Sequence, residues 1–216
     1  MAESGAHRRP SARLHASETL NEGWYTLRQY SLDVTRSDGA TQRLSRIDLR
    51  RGDRAAILLH SPAAGTVVLT SQFRLPVFLH GDPHGQLVEA PGGLLDGADA
   101  EAAVRREAEE ETGFQVVSVR KVCTVYLSPH LSTERTHLFT GEYDPTVRSG
   151  PGGGVPEEGE DICVLELPLH EAVERALHEK VADAKTLLLL LHVQNQEPCA
   201  PRPRGRSRPD DPRPFA

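Results

Sequence analysis

The amino-acid sequence predicts an α/β fold, a layered sandwich of strands interleaved with a few helices. Several short stretches alternate apolar and polar residues, three others suit helices, and Gly- and Pro-containing turns separate them. At 216 residues the chain is long enough for one domain of about 150 residues with extensions, and so for a sizeable core.

Taken in order, residues 1–18 are polar and expected to be loose. From Trp24 to Val34 apolar and polar residues roughly alternate, Ser37-Asp38-Gly39 supplies a turn, and Gln42 to Leu49 returns. This reads as a β-hairpin inside an N-terminal β subdomain over 19–53. A larger unit over 54–197 opens with short strands at Ala55–Leu59 and Thr66–Thr70, joined by a turn from Ser61-Pro62 to Gly65. Leu87 to Ala90 leads into a Gly92-Gly93 loop. Ala100, Ala103, Val104 and Ala108 then fall near one face at helical spacing, so a helix is expected over 100–112. Asp99 suits its N-cap, and Gly113 the left-handed residue that ends it. Strands follow near Val116–Val119, Val122–Leu127 and His137–Tyr143, then a glycine-rich loop over Gly150–Gly159 and a strand at Ile162–Leu167. Two further helices are expected, an amphipathic one at Leu169–Glu179 and a mostly buried one at Ala184–Val193. The Pro/Arg-rich tail over 198–216 is expected to be disordered, and no internal repeat is visible.

The formal net charge is -6, with the acids concentrated around the motifs and no Lys/Arg stripe of the kind that binds nucleic acid. Cys123, Cys163 and Cys199 lack metal-ligand spacing, and an odd count argues against a disulfide framework; a reducing, cytoplasmic setting follows. Met1 to Leu20 contains no apolar core of a secretory signal. The longest strictly apolar run, Leu187–Leu191, falls far short of the roughly 18 residues that would mark a membrane span.

The helix over 100–112 carries the chemistry. Glu107, Glu109, Glu110 and Glu111 crowd its last turns, where the macrodipole disfavours each negative charge by roughly 0.3–1 kcal/mol. Arg105 can pair with Glu109 and Arg106 with Glu110, both at i,i+4. Glu107 and Glu111 are left facing each other with no cation in the segment. Two carboxylates one turn apart are poor for stability and good for holding a divalent cation through oxygen. A solvated acidic face is the bland alternative, but it accounts for none of the fixed offsets among glycines, arginine and glutamates.

Those offsets resemble the Nudix box, G-x5-E-x7-R-E-U-x-E-E-x-G-U with U a bulky apolar residue. Gly92, Arg106, Glu107, Glu110, Glu111, Gly113 and Phe114 match, and Ala108 is smaller than usual. Ala98 stands where the first Glu belongs, with Asp99 beside it as a substitute if the loop is one residue shorter. Outside the box, over about 22–194, the chain is similar to the nucleoside-diphosphate-sugar branch of that superfamily, and most similar to the GDP-mannose pyrophosphatases. The matching segments include Trp24-Tyr25-Thr26-Leu27, Asp33-Val34-Thr35-Arg36-Ser37-Asp38-Gly39, Gln72-Phe73-Arg74, Gly85-Gln86-Leu87-Val88-Glu89, Tyr126-Leu127-Ser128-Pro129, Glu160-Asp161-Ile162 and Lys185-Thr186-Leu187-Leu188-Leu189.

The resemblance implies a Nudix α/β/α sandwich with a mixed sheet and an N-terminal β-hairpin subdomain. It implies Mg²⁺, with Mn²⁺ as a substitute, on Glu107, Glu111, Glu160 and the backbone carbonyl of Gly92. Glu110 and Glu111 complete the catalytic acids. Glu160 acts near the attacking water, with Glu157 and Glu158 as rivals because the loop carries about two extra residues. For the substrate it implies Arg74 and Lys185 at phosphate, Glu134 at the sugar or metal shell, and Arg46 and Trp24 at the base. Each of these has a structural alternative: an ion pair for Arg74, a solvated helix end for Lys185, core packing for Trp24. Ser45 and Ile47 depart from the polar neighbours usual around Arg46, and His130-Leu131 replaces a glycine pair. The implied activity is Mg²⁺-dependent hydrolysis of a nucleotide sugar, GDP-mannose to GMP and mannose 1-phosphate, with ADP-ribose or another nucleotide sugar as the alternative substrate. A non-catalytic nucleotide-sugar sensor is the alternative from another class. A homodimer built through residues of about 20–60 is also implied.

Overall fold

A computed structural model of the protein describes residues 11–179 and 182–196. The expectations for residues 1–10 and for the tail over 198–216 lie outside the described residues.

The chain begins with a three-stranded antiparallel sheet of β1 (Ser11–Asn21), β2 (Thr26–Thr35) and β3 (Thr41–Arg50). The hairpin expected from alternation is β2–β3, in register from Thr26 opposite Arg50 to Thr35 opposite Thr41. Strand β1 corrects the expectation of loose chain through residue 18. Its side chains are exposed along its whole length, so no buried face leaves a hydrophobic signature. Pairing to β2 supplies the order instead, together with a cross-strand contact of His15 Nε2 to Asp33 at 2.6 Å. Asp33 also accepts from Arg43 on β3.

The larger unit is a seven-stranded mixed sheet between helical layers. It contains β4 (Arg54–Ser61), β5 (Thr66–Phe73), β6 (Gln86–Glu89), β7 (Gly92–Leu94), β8 (Phe114–Val125), β9 (Thr136–Arg148) and β10 (Cys163–Pro168). The order is β10-β5-β4-β9-β8, with β6 added to β5 and β7 to β4. Among the described strands only β4 and β9 run parallel. The helices are α1 (Leu75–Leu79), α2 (Ala100–Thr112), α3 (Leu169–His178) and α4 (Ala184–Gln196).

Strand β4 shows how the layers form. Ala55, Ile57 and Leu59 face Val104 and Ala108 of α2, while Ala56 and Leu58 face Leu189, Leu190 and Val193 of α4. Both faces are covered, which is why β4 reads as a continuous apolar run and not as an alternation. Three features differ from the sequence reading. β8 is one bulged strand in place of two, its register shifting at three points. Gly92–Leu94 pairs with β4 where a loop was expected. Helix α1 is a single turn started by Pro76, too short to leave a period.

The two sheets meet at the end of β3. Leu49 N–H donates to Leu131 O at 2.9 Å, Ser132 Oγ donates to Leu49 O at 2.7 Å, and Thr133 N–H donates to buried Asp48 at 2.9 Å.

Candidate active site

Helix α2 sets the geometry. Asp99 accepts from the N–H groups of Glu101 and Ala102 at 3.0 and 3.1 Å, so it caps the helix and does not stand in for the acid missing at Ala98. At the other end Gly113 is left-handed, with φ 71°, a conformation that L side chains avoid. The glycine-rich loop closes over that end: Gly153 N–H donates to Glu111 O at 2.8 Å and Gly154 N–H to Glu110 O at 3.4 Å. Arg148 adds a charged donor to Thr112 O at 3.1 Å and lies over the Phe114 ring. These contacts satisfy helix-end carbonyls and place a cation where the macrodipole favours one.

One of the two expected ion pairs is replaced and the other gains a second partner. Arg105 reaches Glu101 at 3.7 Å and donates to Val116 O at 2.6 Å, while Glu109 accepts from Val116 N–H at 3.3 Å. A register shift in β8 beside Val116 leaves that backbone for the two side chains. Arg106 lies 3.8 Å from Glu110, as expected, and also 2.7 Å from Glu107. Glu107 therefore does have a cation.

Glu111 is the unusual group. It is 2% exposed; one carboxylate oxygen accepts from Gly92 N–H at 3.3 Å, and the other is buried without a hydrogen-bond partner. Burial, assisted by the charges of Glu107, Glu160 and Glu89, pushes its pKa up to about 8. Burial likewise raises Glu107, against the opposing pull of Arg106. The Glu107 carboxylate lies so close to Gly93 that a Cβ there would come within 2.7 Å of it, and a Cβ on Gly92 would collide with the Ala55 carbonyl. In the cradle that the diglycine strand forms, Gly92 is therefore obligatory against the backbone of β4, whereas a side chain at Gly93 would be accommodated only by displacing the Glu107 carboxylate.

This donor set fits a hard divalent cation. An orphaned carboxylate oxygen in a buried site, beside a second carboxylate, is stabilised when a cation replaces the missing partner. Among the described residues no three acidic, His or Cys side chains converge tightly enough to enclose an ion by themselves. The expected set of Glu107, Glu111 and Glu160 with Gly92 is thus not assembled in this arrangement: Glu107 is drawn to Arg106, and Glu160 accepts from Val155 N–H at 2.9 Å. Ions of the Mg²⁺ type keep several waters and need only one or two carboxylates beside phosphate oxygens, a number that Glu107 and Glu111 match.

Glu160 is half-buried against Gly154, and its charge bears on both Glu107 and Glu111. Glu157 is exposed on a turn over Pro156–Glu158; the side chain of Glu158 lies outside the described residues. Glu110 is exposed on the outer face of α2.

The structure brings Arg74 and Lys185 together through a residue that sequence reasoning missed. Glu89, 4% exposed, accepts from Arg74 Nε on one oxygen and from Lys185 Nζ at 2.6 Å on the other. Burial works against its charge, but the cations outweigh it and hold the Glu89 carboxyl below the ordinary range. Lys185 also lies 3.0 Å from Asp183. Asp183 accepts from Thr186 N–H at 2.9 Å, and Thr186 Oγ1 accepts from Ala90 N–H at 2.6 Å, so the start of α4 is tied to the strand before the cradle. The available signal was a glutamate in the otherwise apolar Leu87–Ala90 run.

Glu134 stands before β9, half-buried and raised by burial, with Arg54, Asp53 and Arg51 as charged neighbours. Arg46 lies on exposed β3 and donates to Ser45 O at 2.8 Å. Trp24 is 71% exposed, so the core alternative for it fails; Arg51 covers its ring at 3.6 Å from the centroid. Among the described residues, no hydrogen bond or ion pair joins Arg46 or Trp24 to the acidic cluster of the same chain.

A mixed sheet between helical layers, with a glutamate-bearing helix under a diglycine strand, defines the class of protein, and the chain belongs to the Nudix family: the NUDIX domain profile matches residues 50–191. Members of that family generally use a divalent metal. The N-terminal sheet narrows the placement, since residues 11–47 match the GDP-mannose pyrophosphatase NudK N-terminal domain. The chain is 46% identical over 174 residues to a GDP-mannose pyrophosphatase of Pectobacterium atrosepticum, covering 81% of this chain and 89% of that one. It is 45% identical over 175 residues to that of Cronobacter sakazakii, covering 81% and 91%, and 43% identical over 175 residues to that of Escherichia coli K12, with the same coverage of 81% and 91%. Among solved structures it is similar to an ADP compounds hydrolase, with TM-score 0.63 and 18% identity over 88% of this chain and 95% of that one; that likeness is one of fold. Among the described residues no helix is long and apolar enough to cross a membrane.

Proposed function

We propose that the protein is a Mg²⁺-dependent pyrophosphatase that hydrolyses GDP-mannose to GMP and mannose 1-phosphate. The observation that carries this reading is the buried, unpartnered carboxylate oxygen of Glu111 beside Glu107 in the diglycine cradle. The relatives named above support the choice of substrate. Glu107 and Glu111 hold the cation, and Glu110 keeps Arg106 in place beside Glu107. When bound, Mg²⁺ offsets charge on the phosphate oxygens and acidifies water. Arg74 uses Nε on Glu89, leaving the two terminal amino groups of its fork for a phosphate, and Lys185 adds a second charge. Glu160 orients the attacking water and takes its proton. The water oxygen bonds to one phosphorus, and the bridging oxygen leaves with the other phosphate. Glu134 contacts the sugar, and Trp24 and Arg46 serve the base.

We further propose that residues 19–53, extended by β1, build a homodimer interface, while residues 54–197 form the catalytic unit. The exposed apolar side chains Leu14, Leu20 and Ile47 on a sheet with little burial support this. A cytoplasmic setting is supported by the free cysteines Cys123 and Cys163. The test is a hydrolysis panel with Mg²⁺ comparing GDP-mannose, ADP-ribose, UDP-glucose and ADP-glucose, with products resolved by chromatography. Preferred release of GMP and mannose 1-phosphate supports the reading. Preference for ADP-ribose overturns the substrate, and binding without turnover overturns the enzyme in favour of a sensor.

A further inference from the structure

We propose that Glu89 and Asp183 are positioning residues that hold Arg74 and Lys185 at a fixed separation, so that the pair selects a ligand by the spacing of its two phosphates. The inference rests on the hydrolase reading above and adds to it two carboxylates that touch no substrate.

The four side chains come from separate elements. Arg74 follows β5, and its backbone is pinned where its N–H donates to Gly85 O at 2.7 Å. Glu89 ends β6 opposite Thr70 of β5, whose Oγ1 donates to Glu89 O at 3.1 Å. Lys185 stands in the first turn of α4. Glu89 spans the two cations, one oxygen on Arg74 Nε and the other on Lys185 Nζ, and Asp183 lies 3.0 Å from the same ammonium. That Asp183 oxygen also accepts from Thr186 N–H at 2.9 Å, the arrangement of a helix N-cap. Lys185 is thereby gripped between a buried strand end and the start of a helix.

Stability gives no reason for this arrangement. A buried set of charges is often no more stable than apolar side chains of the same shape, and the macrodipole opposes a lysine in the first turn of a helix. The network instead fixes donors. Arg74 has spent Nε, so among the described residues its two terminal amino groups stay open, and Lys185 keeps N–H groups beyond the one given to Glu89. Two carboxylates facing two cations leave the network close to neutral, so it attracts a diphosphate less by net charge than by where its donors point. Without those carboxylates the cations would repel each other and separate. Glu89 also lies near enough to Glu111 for its charge to help raise that acid, which places these donors beside the cation-binding pair.

The test uses methylenediphosphonate and trimethylenediphosphonate, which carry the same two phosphonate groups on a one-carbon and a three-carbon bridge. Both are titrated by calorimetry, with chelator present, into the wild type, Glu89→Gln and Asp183→Asn. The wild type is expected to prefer the short bridge by about tenfold. Glutamine keeps the shape of Glu89 without its charge and should bring the two affinities within about twofold, while the long-bridged ligand binds no more weakly than before. Asparagine can still accept from Thr186 N–H and should lower the preference about threefold; if Glu89→Gln does not fold, this variant decides. In turnover, Glu89→Gln should lower kcat about 100-fold while KM rises no more than about threefold. A scaffolding role alone would weaken both diphosphonates alike. That result, no short-bridge preference in the wild type, or a preference that survives the substitutions would overturn the inference. A short-bridge preference that depends on Glu89, with no nucleotide sugar hydrolysed, supports it and sinks the preceding hydrolase reading instead.

Discussion

Replacing Glu111 by glutamine separates the cost of this carboxylate from its use. Its pKa is pushed from an ordinary 4.5 to about 8 by burial. The metal-free fold therefore prefers the neutral acid. The stability this group contributes is fully present below pH 4.5 and is lost as pH rises towards 8. Each pKa unit corresponds to 1.36 kcal/mol, so the loss is about 3 kcal/mol at pH 7 and about 5 kcal/mol once ionisation is complete. Glutamine has nearly the same shape, its carbonyl oxygen can still accept from Gly92 N–H, and it cannot ionise. With a chelator present, Glu111→Gln should match the wild type near pH 4.5 and exceed it by about 3 kcal/mol at pH 7, roughly 6–12 °C in Tm for a protein of this size. Adding Mg²⁺ should reverse the order, because only the carboxylate gains a cation. The assay is thermal unfolding of both proteins between pH 5 and 8, with chelator and with Mg²⁺. A wild-type-minus-variant difference that stays flat across that range, or an equal Mg²⁺-induced rise in the variant, refutes the reasoning.

Three further outcomes are expected. Glu107→Gln should lower kcat by about 100-fold or more with a smaller effect on KM; wild-type kcat at saturating Mg²⁺ would sink the assignment. Gly93→Ala places a methyl group against the Glu107 carboxylate and should raise the Mg²⁺ concentration needed for half-maximal activity about tenfold while moving Tm little, as read by metal titration of the rate and by melting. Lys185→Met strips one of two cations from buried Glu89 and should cost about 3 kcal/mol in urea unfolding; an unchanged midpoint would mean that Arg74 alone satisfies Glu89.

Helix α2 was legible from one period, one cap and one glycine, and its observed limits, Ala100–Thr112, coincide with the expected 100–112. β1 was not legible, because exposed residues ordered by backbone pairing carry no burial pattern. The bulges of β8 were hidden for a related reason: register shifts arise from the partner strand and not from side-chain alternation. Glu89 could be noticed as a charge in an apolar run, but its partners lie 15 residues upstream and 96 residues downstream.

By itself the sequence determined the layered fold class through local period and the acids of the Nudix box through fixed spacing, while Arg74, Lys185 and Glu160 were singled out by resemblance to the family. Only the tertiary structure decided which groups share an environment. It buried Glu111 and left one of its oxygens unpartnered, spent Asp99 on capping, joined Arg74 to Lys185 through Glu89, and seated Arg51 on Trp24. Burial and charge proximity are properties of three-dimensional neighbourhoods, and in a folded chain the residues that set them come from distant segments.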